Sequence, residues 1–476
     1  MRRAGLVVAL LAAVSALARA AGDEPSGSVW ETRKPAWTKL SPADRDALFK
    51  FGEDYKKYIG AARSALTSTA EVLRAAKAAG FAEFTDAPQV TPGAKLFVNG
   101  RDRAVILVVV GSEPLLSGSR AIGTHHDSPH IDLKARPVYS SNGFALFKTI
   151  YYGGIKKYQW ANRPLALVGR IDMPAGKRID VSVGLKPDEP VFVIPDNAPH
   201  SDEPLRDRTY EKVFSGEELD PVAGSVSGEG TVTAQVIAEL KSRYGIQEED
   251  LVSAELALVP ASPPADVGLD RGLTGAYGQD DRLSSYCAAR AILDLSGTPR
   301  RTALVYLSNF EEVDSVNNTG AASQFLNSTY ARLVAAQRGK AYTDLDLRQA
   351  LRHAEAVSAD VNDGVNPVFP QTSEPSNAAR LGFGVTIKKY GAGFDANSEY
   401  TAKVRGILDR AGIPWQTQTP RVEGYSGGTI GRFLSAQEME VIDIGVPLLS
   451  MHSPFEMSSK VDVWFLYRFF SAFLAG

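Results

Sequence analysis

Residues Ala104 to Val110 form an unbroken apolar run, Ala-Val-Ile-Leu-Val-Val-Val. A run this short, rich in β-branched residues and without alternation, predicts a strand with both faces covered. Apolar runs recur at 303–308, at 355–360, where the run ends in acid, and around 440–450. Helical patterns lie between or beyond them, at Leu283 to Leu295, Gly320 to Leu333, Tyr400 to Ala411 and Val461 to Ala475. Strand-helix alternation of this kind requires an α/β sheet with helices on both sides.

Two regions depart from that rhythm. Ser41-Pro42-Ala43-Asp44 has the Ser cap, first-turn Pro and first-turn acid of a helix start, and helical spacing runs through Phe49, Tyr55, Ile59, Leu66, Val72 and Ala76 to Gly80. Residues 131–258 instead carry short β-like runs punctuated by Gly and Pro, at Leu165–Arg170, Ile179–Val183 and Pro190–Ile194, with one helix near Thr233 to Tyr244. The expected organisation is one domain built from 36–130 and 259–476, interrupted by a mostly β insertion at 131–258.

Composition sets limits. The chain has 476 residues with 44% hydrophobic content, enough for a substantial core. A net charge of −3 and no long basic run argue against a nucleic-acid partner. Arg2-Arg3, the apolar stretch Leu6 to Leu17 and the small-x-small triplet Ala18-Arg19-Ala20 read as a signal peptide over 1–20. Export to the periplasm or medium is therefore expected, with no stable membrane association after cleavage. Cys287 is the single cysteine, so no intrachain disulfide can form, and an exported chain must rely on its core or on metal. Its apolar context places Cys287 on a buried helix face.

The chemistry centres on Glu311-Glu312, directly after the apolar run Thr302 to Leu307. Adjacent carboxylates at a strand end cannot both enter an apolar interior unless a cation meets them. His125, Asp280, Glu312, Asp360 and His452 each sit at or near the end of an apolar run or beside a turn. In open α/β sheets ligands bind beyond the carboxyl ends of the strands, so these residues are expected to converge there. The set suits two divalent ions, zinc by the nature of the donors. Asp280 would bridge them, with His125 and Asp360 on one ion and Glu312 and His452 on the other. Such a pair polarises a carbonyl and acidifies water. Glu311 is left free as the proton carrier, and Asp127 is placed to hold the second nitrogen of His125.

Taken together, these segments resemble the aspartyl aminopeptidase family of co-catalytic zinc peptidases, from about Phe49 to the C-terminus. His125-His126-Asp127-Ser128-Pro129 is similar to that family's His-Thr-Asp-Ser-Pro, and Phe310-Glu311-Glu312-Val313-Asp314-Ser315 to its His-Glu-Glu-Val-Gly-Ser. Gln279-Asp280-Asp281-Arg282, Ser358-Ala359-Asp360, Ser450-Met451-His452-Ser453, Tyr152-Gly153-Gly154 and Gly428-Thr429-Ile430-Gly431 add to the likeness. The resemblance implies a zinc-peptidase domain with a central mixed sheet flanked by helices and interrupted by a β-rich dimerisation domain. It also implies peptide substrates, and dimers that build a dodecamer. By the same resemblance, His200 reaches a neighbouring subunit's site and Lys388 meets an acidic substrate side chain. Asp314 stands where the family has Gly, Asn366-Pro367-Val368 where it has His-Pro-Asn, and the signal segment is unusual for it. These departures bear on substrate preference rather than on metal chemistry. The leading expectation is thus an aminopeptidase acting on N-terminal residues, acidic ones among the candidates. The alternatives are an exported zinc amidohydrolase or deacylase and a non-catalytic metal-stabilised binding protein.

Overall fold

The computed structural model describes residues 28–30, 32–85, 90–228, 230–391, 393–423 and 427–476. The expected signal peptide at 1–20 lies outside them. Among the described residues the strands form three sheets of nine, six and five strands.

The nine-stranded sheet is mixed. Its middle consists of four parallel strands in the order Thr302–Ser308, Ser119–His125, Glu355–Ala359 and Glu440–Gly445. Ala104–Val109 runs antiparallel beside Thr302–Ser308, and every one of its side chains is buried. The absence of alternation in the sequence is explained by two cores. Val105, Leu107 and Val109 face one apolar cluster, and Ala104, Ile106 and Val108 face another. The first is completed by the helices Pro42–Ala61, Gln279–Leu293 and Lys460–Ala475 through residues such as Tyr55, Cys287 and Phe469. The second is completed by Phe325–Arg338 and Asp344–Arg352 through Leu326, Tyr330 and Leu351. Cys287 is buried on its helix, as the sequence pattern requires.

The six-stranded sheet is antiparallel throughout, in the order Arg178–Val183, Leu165–Asp172, Ala254–Pro260, His130–Ser141, Phe144–Tyr152 and Val222–Gly224. It has its own core around Trp160, Leu167 and Leu258. The five-stranded sheet joins Ala265–Val267, Leu273–Ala276, Glu456–Ser459, Pro447–Leu449 and Asn362–Asp363. Through it the segments carrying Asp280, Asp360 and His452 become neighbours. No helix among the described residues is long and apolar enough to cross a membrane.

Three local expectations need correction. The helical pattern from Ser41 to Gly80 is two helices, Pro42–Ala61 and Ala65–Ala78. At the break the Arg63 guanidinium turns inward to the Gly60 and Ser262 carbonyls, and Ser64 caps the second helix. The helix expected from Gly320 begins at Phe325 instead. Gly320 bridges Asn309, and a Cβ there would collide with the Ser315 carbonyl, so the chain wraps the Glu311-Glu312 turn first. The run Pro190 to Ile194 forms isolated bridges, Leu165 with Phe192 and Val193 with Val222, rather than a strand. Pro190 supplies no N–H at its start.

Candidate metal centre

His125 is the last residue of its strand and lies in register with Ser308 of the neighbouring parallel strand. Asp360 follows the end of Glu355–Ala359, the next strand across. The carboxyl ends of three adjacent strands therefore deliver His125, the Glu311-Glu312 turn and Asp360 to one edge. Consecutive strand residues face opposite ways, which settles the choice within His125-His126. His126 points away, with Nδ1 3.1 Å from Ser68 Oγ and Nε2 2.8 Å from the Arg103 carbonyl. Burial pulls its pKa down to about 4.

Asp280 occupies the centre. It begins the helix Gln279–Leu293, where its own backbone is not yet helical. Its Oδ1 lies 3.3 Å from His125 Nε2 and its Oδ2 3.1 Å from His452 Nε2. Asp360 Oδ1 completes one side at 3.7 Å from His125 Nε2, and Glu312 Oε2 the other at 3.4 Å from His452 Nε2. Within each trio, His125–Asp280–Asp360 and Asp280–Glu312–His452, the donor atoms lie within 4.8 Å of one another. The sequence-derived partition into two triads with Asp280 shared is the arrangement the side chains adopt.

These residues fit a pair of cations. Asp280 Oδ1 and Glu312 Oε1 are buried with no hydrogen-bond partner, and buried polar atoms are seldom left so. Burial and the surrounding carboxylates push the Glu311 pKa up to about 8, against the pull of His125. Burial likewise drives Glu312 well above the usual carboxylate range, although His452 opposes it. Burial disfavours the imidazolium of His125, but Asp127, Asp280 and Asp360 outweigh it and raise its pKa well above the ordinary value. Such crowding of carboxylates is what divalent charge relieves. Nitrogen and oxygen donors at two triads suit zinc.

The remaining expected residues take distinct places. Asp127 is buried behind His125, with Oδ1 3.4 Å from His125 Nδ1, and it accepts the backbone N–H of both Glu311 and Glu312 at 3.2 Å. Glu311 Oε2 lies 3.9 Å from His125 Nε2, beside the centre rather than within either triad. Lys388 donates to the Val361 carbonyl at 2.8 Å and sits 3.6 Å from Asp360 Oδ2. His200 is exposed in the short turn Pro199–Ser201 and is not among the side chains that converge here. Sequence reasoning missed Glu456. This buried carboxylate accepts the backbone N–H groups of Gln279, Asp280 and His452 at 2.5, 3.2 and 2.8 Å. Its one sequence signal is an acid inside a short strand pattern, four residues after His452.

A family model for aminopeptidase I zinc metalloproteases (M18) matches residues 58–474. The chain belongs to the M18 family. A probable M18 family aminopeptidase 1 of Borrelia garinii subsp. bavariensis is 36% identical over 449 residues, spanning 92% of this chain and 98% of that protein. The crystal structure of an M18 aminopeptidase from Thermotoga maritima superposes with a TM-score of 0.89 at 35% identity, covering 93% of this chain and 99% of that one. The mApe1 dodecamer of yeast has the same fold, with a TM-score of 0.72 at 21% identity over 89% of this chain and 96% of that one. The M18 assignment makes this chain a zinc metalloaminopeptidase, a hydrolase of peptide bonds, with a mixed α/β fold.

Proposed function

We propose that this M18 enzyme removes N-terminal residues from peptides, with His125, Asp280 and Asp360 holding one zinc ion and Asp280, Glu312 and His452 the other. The observation that carries this reading is the carboxylate of Asp280, which turns one oxygen to each imidazole. Bound there, the ions would polarise the scissile carbonyl and acidify water. Glu311, outside both triads, takes a proton from the attacking water at its carboxylate and returns it to the departing amine. Asp127 fixes the orientation of His125 and, through two backbone N–H groups, the turn that presents Glu311.

Lys388 sets the preference for the substrate side chain in this reading. Its ammonium has three N–H donors, and the Val361 carbonyl and Asp360 together leave one direction for an acidic group. Residues 131–258, whose six-stranded sheet exposes Phe144, Ile150 and Tyr151 on one strand, form the insertion through which copies pair. The catalytic domain comprises 36–130 and 259–476, dimers build the dodecamer seen for the yeast relative, and His200 crosses to a neighbouring site. The segment 1–20 directs export.

The test is a panel of aminoacyl-anilides, acidic and neutral, assayed with and without chelator. Glu311→Gln should lose roughly 10²–10⁴-fold in turnover while its zinc content is retained. Unchanged turnover in that variant would overturn the assignment of Glu311.

A further inference from the structure

We propose that the turn Tyr152-Gly153-Gly154, which ends a strand of the six-stranded sheet, positions both halves of the metal centre, with a different residue serving each half. The inference rests on the two-ion reading above and goes beyond it, because none of the three residues is a ligand.

Tyr152 serves the His125 half. Its hydroxyl donates to Asp127 Oδ2 at 2.7 Å. The same carboxylate faces His125 Nδ1 and accepts the two N–H groups of the Glu311-Glu312 turn. Asp127 is thus the joint between a histidine and the acidic turn, and the Tyr152 hydroxyl is the donor that reaches this joint from the second sheet. The tyrosine ring is itself fixed. It stacks on His130, its cross-strand partner, with centroids 4.4 Å apart and planes 14° from parallel, and meets the edge of Phe310 at 6.1 Å. His130 is locked in turn by the Ser128 carbonyl at 2.7 Å and Asp132 Oδ1 at 3.0 Å.

Gly153 and Gly154 serve the His452 half. The Gly154 carbonyl accepts from His452 Nδ1 at 2.8 Å. That bond places the proton on Nδ1 and leaves the Nε2 lone pair directed at Asp280 and Glu312. Gly153 has a φ of 73°, and a Cβ on it would lie 3.3 Å from Glu312 Cβ and 3.2 Å from Pro129. Glycine is needed there both for the left-handed backbone and for the close approach to Glu312. Three consecutive residues from outside the nine-stranded sheet therefore contact the supports of His125, the carbon chain of Glu312 and the ring of His452. Metal affinity is coupled through this turn to the integrity of the six-stranded sheet.

The experiment measures zinc binding to the full-length chain by competition with a chromophoric chelator, resolving the two binding steps. Thermal unfolding of the metal-free protein is followed in parallel. Tyr152→Phe keeps the stacked ring and loses the hydroxyl. It should weaken one step by roughly 10-fold, at the low end for outer-shell partners because the hydroxyl acts through Asp127, and lower the metal-free unfolding temperature by no more than about 3 °C. Gly153→Ala should weaken the other step by a similar factor. If wild-type protein takes up fewer than two ions, the two-ion reading fails. If it takes up two and Tyr152→Phe binds both as tightly as wild type, the proposal is overturned. Equal weakening of both steps by both variants also overturns it, because the division of labour would be absent.

Discussion

Glu456→Gln is the substitution whose cost follows most directly from the structure. Glu456 is 1% exposed, and its two oxygens meet three backbone donors, Gln279 and Asp280 on Oε2 and His452 on Oε1. Burial and the nearby Asp280 charge push its pKa up to about 8. Three N–H groups aimed at two oxygens nevertheless leave an acid proton nothing to bond, so the anion is the form that fits. In the glutamine variant the amide oxygen can retain Gln279 and Asp280, while the NH₂ must then face the His452 N–H. One charge-assisted bond, about 1.5–3 kcal/mol, is lost and one buried donor, about 1–3 kcal/mol, is left unpaired. The combined cost is about 2.5–6 kcal/mol. With an unfolding entropy near 2.1 cal/mol/K per residue, a chain of this size would lose only about 2.5–6 °C in Tm. Zinc affinity should fall more visibly, because the backbone of His452 loses its anchor. Scanning calorimetry of metal-free protein and a zinc competition titration measure the two effects. A variant with wild-type Tm and wild-type zinc affinity would show that Glu456 is protonated and anchors nothing.

Removing metal with a chelator should lower Tm, and the gap between loaded and stripped protein should widen as pH rises. Burial holds the Glu311 pKa at about 8, above its ordinary 4.5, so its favourable contribution in the stripped chain is complete below about 4.5 and lost as pH rises through about 8. A gap that stays flat across that window would contradict the crowding argument. Asp314 sits at φ 73° with its side chain in solvent, 3.7 Å from Arg432 at a distance and exposure where an ion pair adds little. Asp314→Gly should gain about 1 kcal/mol in chemical denaturation by relieving the left-handed backbone, with zinc binding unchanged. Phe469 is fully buried between Phe470 and Phe473 on the last helix, and Phe469→Ala should cost about 3–5 kcal/mol by the same measurement.

Much of this molecule is written in local pattern. The uninterrupted apolar run at Ala104–Val109 requires a strand with two covered faces, and the two cores supply them. The convergence of His125, Asp280, Glu312, Asp360 and His452 was legible because acids and histidines at the ends of apolar runs have few other stable places to go. What the local pattern left open was decided by contacts between distant segments. At the break between the first two helices Arg63 meets the carbonyls of Pro260 and Ser262, far away in sequence. The choice of His125 over His126 is a matter of strand face, and a one-residue slip would exchange them. The roles of Glu456 and Tyr152 could not be read from their own neighbourhoods, since their hydrogen bonds to Asp280, His452 and Asp127 are made across the fold. Sequence spacing thus determined which residues can do the chemistry, and tertiary structure decided which neighbours hold them in place, because hydrogen-bond partners are chosen by distance in space.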